Sequence, residues 1–291
     1  MLILLTGCTG FVGSALGPRL IAAGHELVCV CRPDTLVKFG ERIDWDGTSP
    51  IQPEKFPKTV NAVIHLAQSR SYRQFPADAR EMFAVNVAMT MSLLQWAAQS
   101  QVQRFCLISS GAVYEPFALP LREDAPLAPA GFLGATKLAA EIIATPFSAC
   151  FAMNTLRLFF PYGPGQRHRL IPELIRRVSN CEAVEVTDNG EGIRLTPTFI
   201  GDIVEVIIAM LASTRVGTTN VGSPEVLSVR QIALEVGRQL GIEPKFKTVD
   251  GSPADIVPSL DRLSGRFELN RFTRFEDGLR RTLFDDPGRT I

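Results

Sequence analysis

The chain has little of what most often carries acid–base and metal chemistry. Its 291 residues include three His, three Tyr and two Trp. Three His with no close spacing give no ligand pattern, and no metal is expected. The six Cys (Cys8, Cys29, Cys31, Cys106, Cys150, Cys181) contain no CxxC pair. They read as reduced core thiols of a cytoplasmic protein, not as bridges or ligands. Excess charge is lacking too: 30 Lys+Arg balance 30 Asp+Glu. That leaves no electrostatic case for nucleic acid or an anionic membrane as partner, and a small-molecule substrate is expected. Long apolar runs are absent. Met1–Leu5 has no basic n-region and is too short for a secretory signal, and Ile203–Ala212 is interrupted by Glu205 and too short to cross a bilayer.

What is present is ordinary core-forming material, 46% hydrophobic and 21% charged, enough for one large domain or two smaller ones. Leu2–Leu5, Leu27–Cys31, Ala62–Leu66, Phe105–Ile108 and Leu156–Phe160 are nearly continuous in apolar residues, the mark of strands covered on both faces. Between them, Phe11–Ala23, Ala77–Gln99 and Gly134–Ala144 have helical spacing, with Pro18 expected to bend the first. The alternation predicts an α/β fold, a doubly wound parallel sheet of the Rossmann kind. Later helices are expected at Leu170–Val178, Val229–Leu240 and Phe275–Leu283, Phe199–Ala212 reads as strand end plus helix, and a strand is expected at Thr219–Val221. Residues 1–162 and 196–222 are assigned to a dinucleotide-binding domain, and 163–195 and 223–291 to a smaller, discontinuous substrate lobe.

Thr6-Gly7-Cys8-Thr9-Gly10-Phe11-Val12-Gly13 stands between the first strand and the first helix. Gly7 permits the tight turn, Gly10 lets backbone approach a pyrophosphate, and Gly13 allows close helix–strand packing. The helix N-terminus supplies free N–H groups for the phosphates. At the end of the second strand an NAD site usually carries an acid; here stands Cys31-Arg32-Pro33. Arg32 suits a ribose 2′-phosphate, so NADP is favoured over NAD.

These segments fall in a familiar order: the glycine loop, Ile64-His65-Leu66-Ala67, Ile108-Ser109-Ser110-Gly111-Ala112-Val113-Tyr114, Gly134-Ala135-Thr136-Lys137, and Arg157 with Tyr162-Gly163-Pro164. Together they resemble the extended short-chain dehydrogenase/reductase family, in its NAD-dependent epimerase/dehydratase branch that modifies sugar nucleotides. The resemblance spans the whole chain, since Gly190–Asp202 and Glu276–Leu279 match as well. It implies a cofactor site formed by Gly7, Thr9, Gly10, Phe11, Val12 and Arg32. Asp44, Trp45, Leu66, Ala67, Asn86 and Lys137 complete that site. It also implies a catalytic Ser, Ser110, and a catalytic Lys, Lys137, and it is compatible with a homodimer through the long helices.

The family's third catalytic group is a Tyr four residues before the Lys, on the same helix face, where the ammonium lowers the phenol pKa. This chain has Leu133 there. Of its three Tyr, Tyr114 and Tyr162 belong to structural elements, and Tyr72, in the loop after Ala67, is the candidate replacement donor. His65 reads as a satisfied core histidine. Phe160 replaces the Asn that relatives use near a nucleotide phosphate, and Arg194 lies one residue off the register of an Arg that Leu195 replaces. Ser110, Leu133, Phe160, Arg167, Arg169 and Arg194 are therefore the candidate substrate residues. Gly111-Ala112 stands where 4,6-dehydratases carry Asp-Glu, which argues against that reaction. The expected function is an NAD(P)-dependent oxidoreductase or epimerase on a sugar-nucleotide-like hydroxyl or ketone, by a route without the usual Tyr. The alternatives are a ketoreductase of a non-nucleotide natural product with substrate-assisted protonation, and a cofactor-binding protein without turnover.

Overall fold

Leu2–Leu5 is apolar at every position because both faces of its strand are covered. In the computed structural model, which describes residues 1–117, 121–251 and 254–285, β1 (Leu2–Thr6) pairs in parallel with β2 (Glu26–Cys31) on one side and β4 (Ala62–His65) on the other. Leu4 joins Val28, Val63, Leu93 and Phe105 in one buried cluster. Its neighbours Ile3 and Leu5 point to the opposite face and are just as inaccessible.

With β3 (Glu41–Asp44), β5 (Arg104–Ser110), β6 (Ala152–Leu158) and the strand Gly217–Val221, these form one seven-stranded sheet. Its order is β3-β2-β1-β4-β5-β6, with Gly217–Val221 outermost beside β6. The fold is Rossmann-like, and its topological switch point lies between β1 and β4, where such sheets bind ligands at the strands' carboxyl ends. The apolar runs did not reveal β3, because three of its four residues are charged and only Ile43 is buried. It is an edge strand, and edges tolerate charge.

The helix α1 (Phe11–Ala22) continues through Pro18 without ending there. The segment expected as one helix from residue 77 to 99 is not regular. It runs as α2 (Ala79–Phe83), a π-helical turn (Ala84–Ala88) and α3 (Met89–Gln99). α4 (Phe132–Ala144) starts two residues earlier than its spacing suggested. Four cysteines are buried free thiols, but Cys150 and Cys181 are exposed. They follow a helical turn and the end of α5 (Leu170–Ser179), in connections that run over the surface.

The structure groups the chain into two compact units. The first, with β1 to β6 and α1 to α4, contains Met1–Pro116, Pro126–Leu158 and Val204–Thr219. The second contains Phe117–Ala125, Phe159–Ile203 and Asn220–Ile291 within the described range. It holds short strand pairs and α7 (Val229–Leu240), whose N-terminus is closed by a Ser228/Gln231 capping box and whose end turns on Gly241 at φ 69°. Tyr162 is fully buried there, and its hydroxyl donates to the Phe275 carbonyl. Burial pushes its phenol above the ordinary range, which suits packing and not proton transfer.

Candidate active site

The glycine loop leaves β1 at Thr6. Gly7 has φ 68°, and a Cβ there would lie 2.8 Å from the Ala67 nitrogen, so the turn and its contact with the strand-end after β4 both require glycine. At Gly13 a Cβ would stand 2.2 Å from the Gly7 carbonyl oxygen; this is the close packing of α1 on the loop. Gly10, in contrast, is exposed, and a Cβ would meet only the Gly7 oxygen at 3.2 Å. It is the N-cap of α1, contributes no side chain, and is followed by a first turn without acidic residues. The first-turn N–H groups, including those of Phe11 and Val12, have no intrahelical acceptors. That is a cradle for a pyrophosphate, and the residues present fit a dinucleotide.

At the carboxyl end of β5, Ser110 caps a 3-10 turn, its Oγ accepting from the Ala112 nitrogen at 3.2 Å. Opposite runs α4, which carries Leu133, Lys137 and Glu141 at four-residue intervals and so on one face. Lys137 is buried and its Nζ donates to the Ile108 carbonyl at 3.0 Å. Burial lowers its pKa to about 8, with Glu141 pulling in the opposite sense. Leu133, one turn away, offers no polar atom. Its neighbour Phe132 packs against Phe75, ring centres 5.3 Å apart.

Glu141 anchors a buried ion pair. Its carboxylate takes Nη2 of Arg157 at 2.7 Å and Nε at 3.1 and 3.2 Å, and accepts from Ser109 Oγ at 2.5 Å. Arg157 also donates to the Tyr114 hydroxyl at 2.6 Å and covers that ring at 4.9 Å. Tyr114 is therefore held as part of the core. Sequence reasoning did not single out Glu141, although it lies one turn beyond Lys137, and it took Arg157 only as part of a motif. A lone Arg between leucines on a buried strand is itself a signal that an acid waits nearby.

A second polar chain ties the loop to the helices. The Ala67 nitrogen donates to Thr6 Oγ1 (3.2 Å), which bonds His65 Nδ1 (2.7 Å). His65 Nε2 bonds Thr90 Oγ1 (2.9 Å), and Thr90 donates to the Asn86 carbonyl (2.8 Å). Thr90 has one hydroxyl hydrogen and spends it on Asn86, so His65 carries its proton on Nε2 and accepts from Thr6 at Nδ1. Burial lowers the imidazole pKa to about 3, so it is neutral, the satisfied core histidine expected. Asn86 sits in the π turn, accepts from the Ser69 nitrogen and donates to Thr136 Oγ1, which donates to the Leu133 carbonyl. Asn86 thus positions α4.

The remaining candidates are scattered. Thr9, Leu66 and Tyr72 are half-buried in loops, and the Arg73 guanidinium lies 5.6 Å from the Tyr72 ring. Arg32 is exposed at the end of β2. Asp44 accepts from Arg42 Nε, and the Trp45 indole faces the core and donates to the Ser49 carbonyl at 2.8 Å. Asp44 and Trp45 border a cavity of about 150 Å³ shared with Pro33, Lys55 and Phe56. In the second unit Phe160 has φ 39°, an uncommon conformation for an aromatic residue and one that Asn tolerates better. Arg167 and Arg169 are exposed. Arg194 is exposed and pairs with Asp255 at 3.1 Å, whereas Leu195 is fully buried. The one-residue offset does turn the arginine to the opposite face. Arg176 of α5 is engaged by Glu173 and Glu182.

Residues 3–222 match the NAD dependent epimerase/dehydratase family. The chain belongs to that family. It is similar to Protein CapI of Staphylococcus aureus, 24% identical over 96% of both chains. Among solved structures it is similar to MoeE5 in complex with UDP-glucuronic acid and NAD, at 27% identity over 97% of both chains with a TM-score of 0.83. It shares its fold with the UDP-glucuronic acid 4-epimerase from Bacillus cereus, at a TM-score of 0.85 and 22% identity over 97% of this chain and 98% of that one. In this epimerase/dehydratase-family enzyme, Leu133 stands one helical turn before Lys137 on α4. Among the described residues no helix is long and apolar enough to cross a membrane.

Proposed function

We propose that the protein oxidises, reduces or epimerises a hydroxyl-bearing carbon of a sugar nucleotide, without a tyrosine acid–base group. The observation that carries this reading is the combination on one scaffold of an open phosphate cradle at Gly10, Ser110 at the end of β5, and a buried Lys137 beside Leu133. NAD, when bound, supplies the hydride acceptor and donor. Ser110 orients the substrate oxygen, and Lys137 holds the nicotinamide ribose. MoeE5 holds UDP-glucose in one structure and UDP-glucuronic acid in another, which makes those two the substrates to try first. Mixing either with NAD-loaded protein should give the near-ultraviolet absorbance of the reduced nicotinamide or a converted sugar nucleotide; neither signal from either sugar would remove the sugar-nucleotide reading. A cytoplasmic homodimer belongs to the same reading, supported by exposed Phe83, Met91 and Ile142 on α2, α3 and α4.

Cofactor choice follows from Arg32. The acid nearest in space on the adjoining strand, Asp44, is taken by Arg42, so the edge favours a 2′-phosphate over a 2′-hydroxyl. NADP(H) should bind about tenfold more tightly than NAD(H), the worth of one charged hydrogen bond, and Arg32→Asp should reverse the order. Fluorescence titration decides it: equal or tighter NAD(H) binding to the parent removes this role for Arg32.

One set of observations favours a second reading, a ketoreductase of a non-nucleotide substrate. Phe160 stands in the place of the phosphate-side Asn, and Arg194 is paired on the outer face while Leu195 is buried. Leu133→Tyr separates a lost family site from an adapted one. We expect turnover to rise less than about tenfold, because the neighbourhood of Phe132 and Phe75 is apolar and a phenol adds bulk there. Turnover faster than the parent's by about a hundredfold or more, the usual worth of a general acid, would mean an ordinary site with one residue missing.

A further inference from the structure

We propose that Lys137 is itself the proton donor and acceptor for the substrate oxygen, in the place that the family gives to tyrosine. The proposal rests on the redox reading above and assigns its missing acid–base group. Three features of the structure lead to it.

The first is position. Lys137 Nζ is fixed to the Ile108 carbonyl, and Ile108 stands two residues before Ser110 on the same strand, a rise of about 7 Å. The amine and the serine hydroxyl therefore share one strand end. The side chain that would stand in front of the amine, at the preceding turn of α4, is Leu133, which can neither hold a proton nor accept one. Of that pair, the lysine amine alone can hold and release a proton.

The second is the state of every charged neighbour. On α4, Glu141 would be the natural counter-ion, but its carboxylate is already shared between Arg157 of β6 and Ser109. On β4, His65 is neutral and bonded to Thr6 and Thr90. Tyr114 of the 3-10 turn is held by Arg157. From the π turn, Asn86 presents only an amide. Nothing around Lys137 neutralises its ammonium exclusively, while burial works against the charge and brings its pKa to about 8.

The third is economy of donors. Among the described residues the amine makes one hydrogen bond, to the Ile108 carbonyl, and an ammonium has three hydrogens. One direction anchors it and two remain for a ribose hydroxyl and the reacting oxygen. In oxidation the substrate O–H bond breaks, its proton goes to the neutral amine to give the ammonium, and the oxygen keeps the electron pair that closes the carbonyl. The carbon–hydrogen bond breaks in the same step, and its hydrogen leaves with both bonding electrons as the one hydride that bound NAD would accept. In reduction the ammonium returns the proton.

The test has two arms. In the first, without cofactor or substrate, urea midpoints of the parent and of Lys137→Met are compared from about pH 7 to pH 11, the span that brackets the two lysine values. Below about pH 8 the folded and unfolded chains both keep the lysine proton. Between there and the ordinary value of 10.5 only the unfolded chain keeps it. The unfolded state then binds more protons, so the parent should gain stability relative to the Met variant as pH rises. A flat difference across that range overturns the proposal, because the amine would then stay charged at every working pH. In the second arm, Lys137→Arg keeps a cation for the ribose but cannot release its proton. It should bind NAD within a few-fold of the parent yet transfer hydride from UDP-glucose or UDP-glucuronic acid about a hundredfold or more slowly. The parent's oxidation rate should climb to a plateau above about pH 8. An Arg variant within about tenfold of the parent rate overturns the proposal. No transfer by the parent itself overturns the sugar-nucleotide reading, and the first arm then decides the lysine alone.

Discussion

Gly10→Val is expected to weaken NAD(H) and NADP(H) binding by a hundredfold or more, about 2.7 kcal/mol, while the protein still folds. The two methyls would occupy the space in front of the α1 N-terminus that a pyrophosphate needs. The fold has little to lose. Gly10 is exposed, lies in extended backbone at φ −77°, and its added Cβ meets only one carbonyl oxygen at 3.2 Å. Replacing glycine at an N-cap by a β-branched residue costs about 1 kcal/mol. Gly13→Val should do the opposite and unfold the α1 contact, since there the Cβ would collide with Gly7 backbone. Fluorescence titration of cofactor alongside a urea melt separates the two variants, and retained binding in Gly10→Val would move the phosphate site elsewhere.

Glu141→Ala should be the most damaging single change to stability. It leaves the Arg157 guanidinium, 4% exposed in its side chain, without its carboxylate. Removing one partner of a buried pair costs about 3–5 kcal/mol. The pair is not needed for folding as such, so Glu141→Met combined with Arg157→Leu should recover most of that loss, because no guanidinium is then stranded. Urea midpoints of the two variants and the parent provide the comparison. A single variant within about 1 kcal/mol of the parent would mean that water reaches Arg157.

The sequence was most legible where local chemistry and tertiary packing agree. Val229–Leu240 was readable to the residue, because Ser228 and Gln231 make a capping box and Gly241 ends the helix in the left-handed region. The β1–β2–β4 core was readable because two covered faces leave no room for polar residues. Other features depend on partners far along the chain. β3 has one buried side chain and so no apolar run. The π turn at Ala84–Ala88 has no compositional mark, and its polar residue, Asn86, gains meaning only through Ser69 and Thr136, 17 and 50 residues away. Phe160 gives no hint of its positive φ, because the preference of its residue type runs the other way. The candidate site followed the same rule. The glycine loop, Ser110, Lys137 and the gap at Leu133 were visible as local motifs, but the Glu141–Arg157 pair that occupies the lysine's nearest acid was not.

The directed run of hydrogen bonds through Thr6, His65 and Thr90 has a consequence for proton traffic. Each hydroxyl points one way, and the imidazole keeps its single proton on Nε2. Passing a proton along the run requires an imidazolium, and a group whose pKa lies at about 3 carries one only about once in 10⁴ times at pH 7. The interior behind the loop is therefore an insulator. A proton gained or lost at the reacting carbon's oxygen therefore does not travel by this run. In D₂O the buried hydroxyls of Thr6 and Thr90 should accordingly exchange only as slowly as the sheet around them opens.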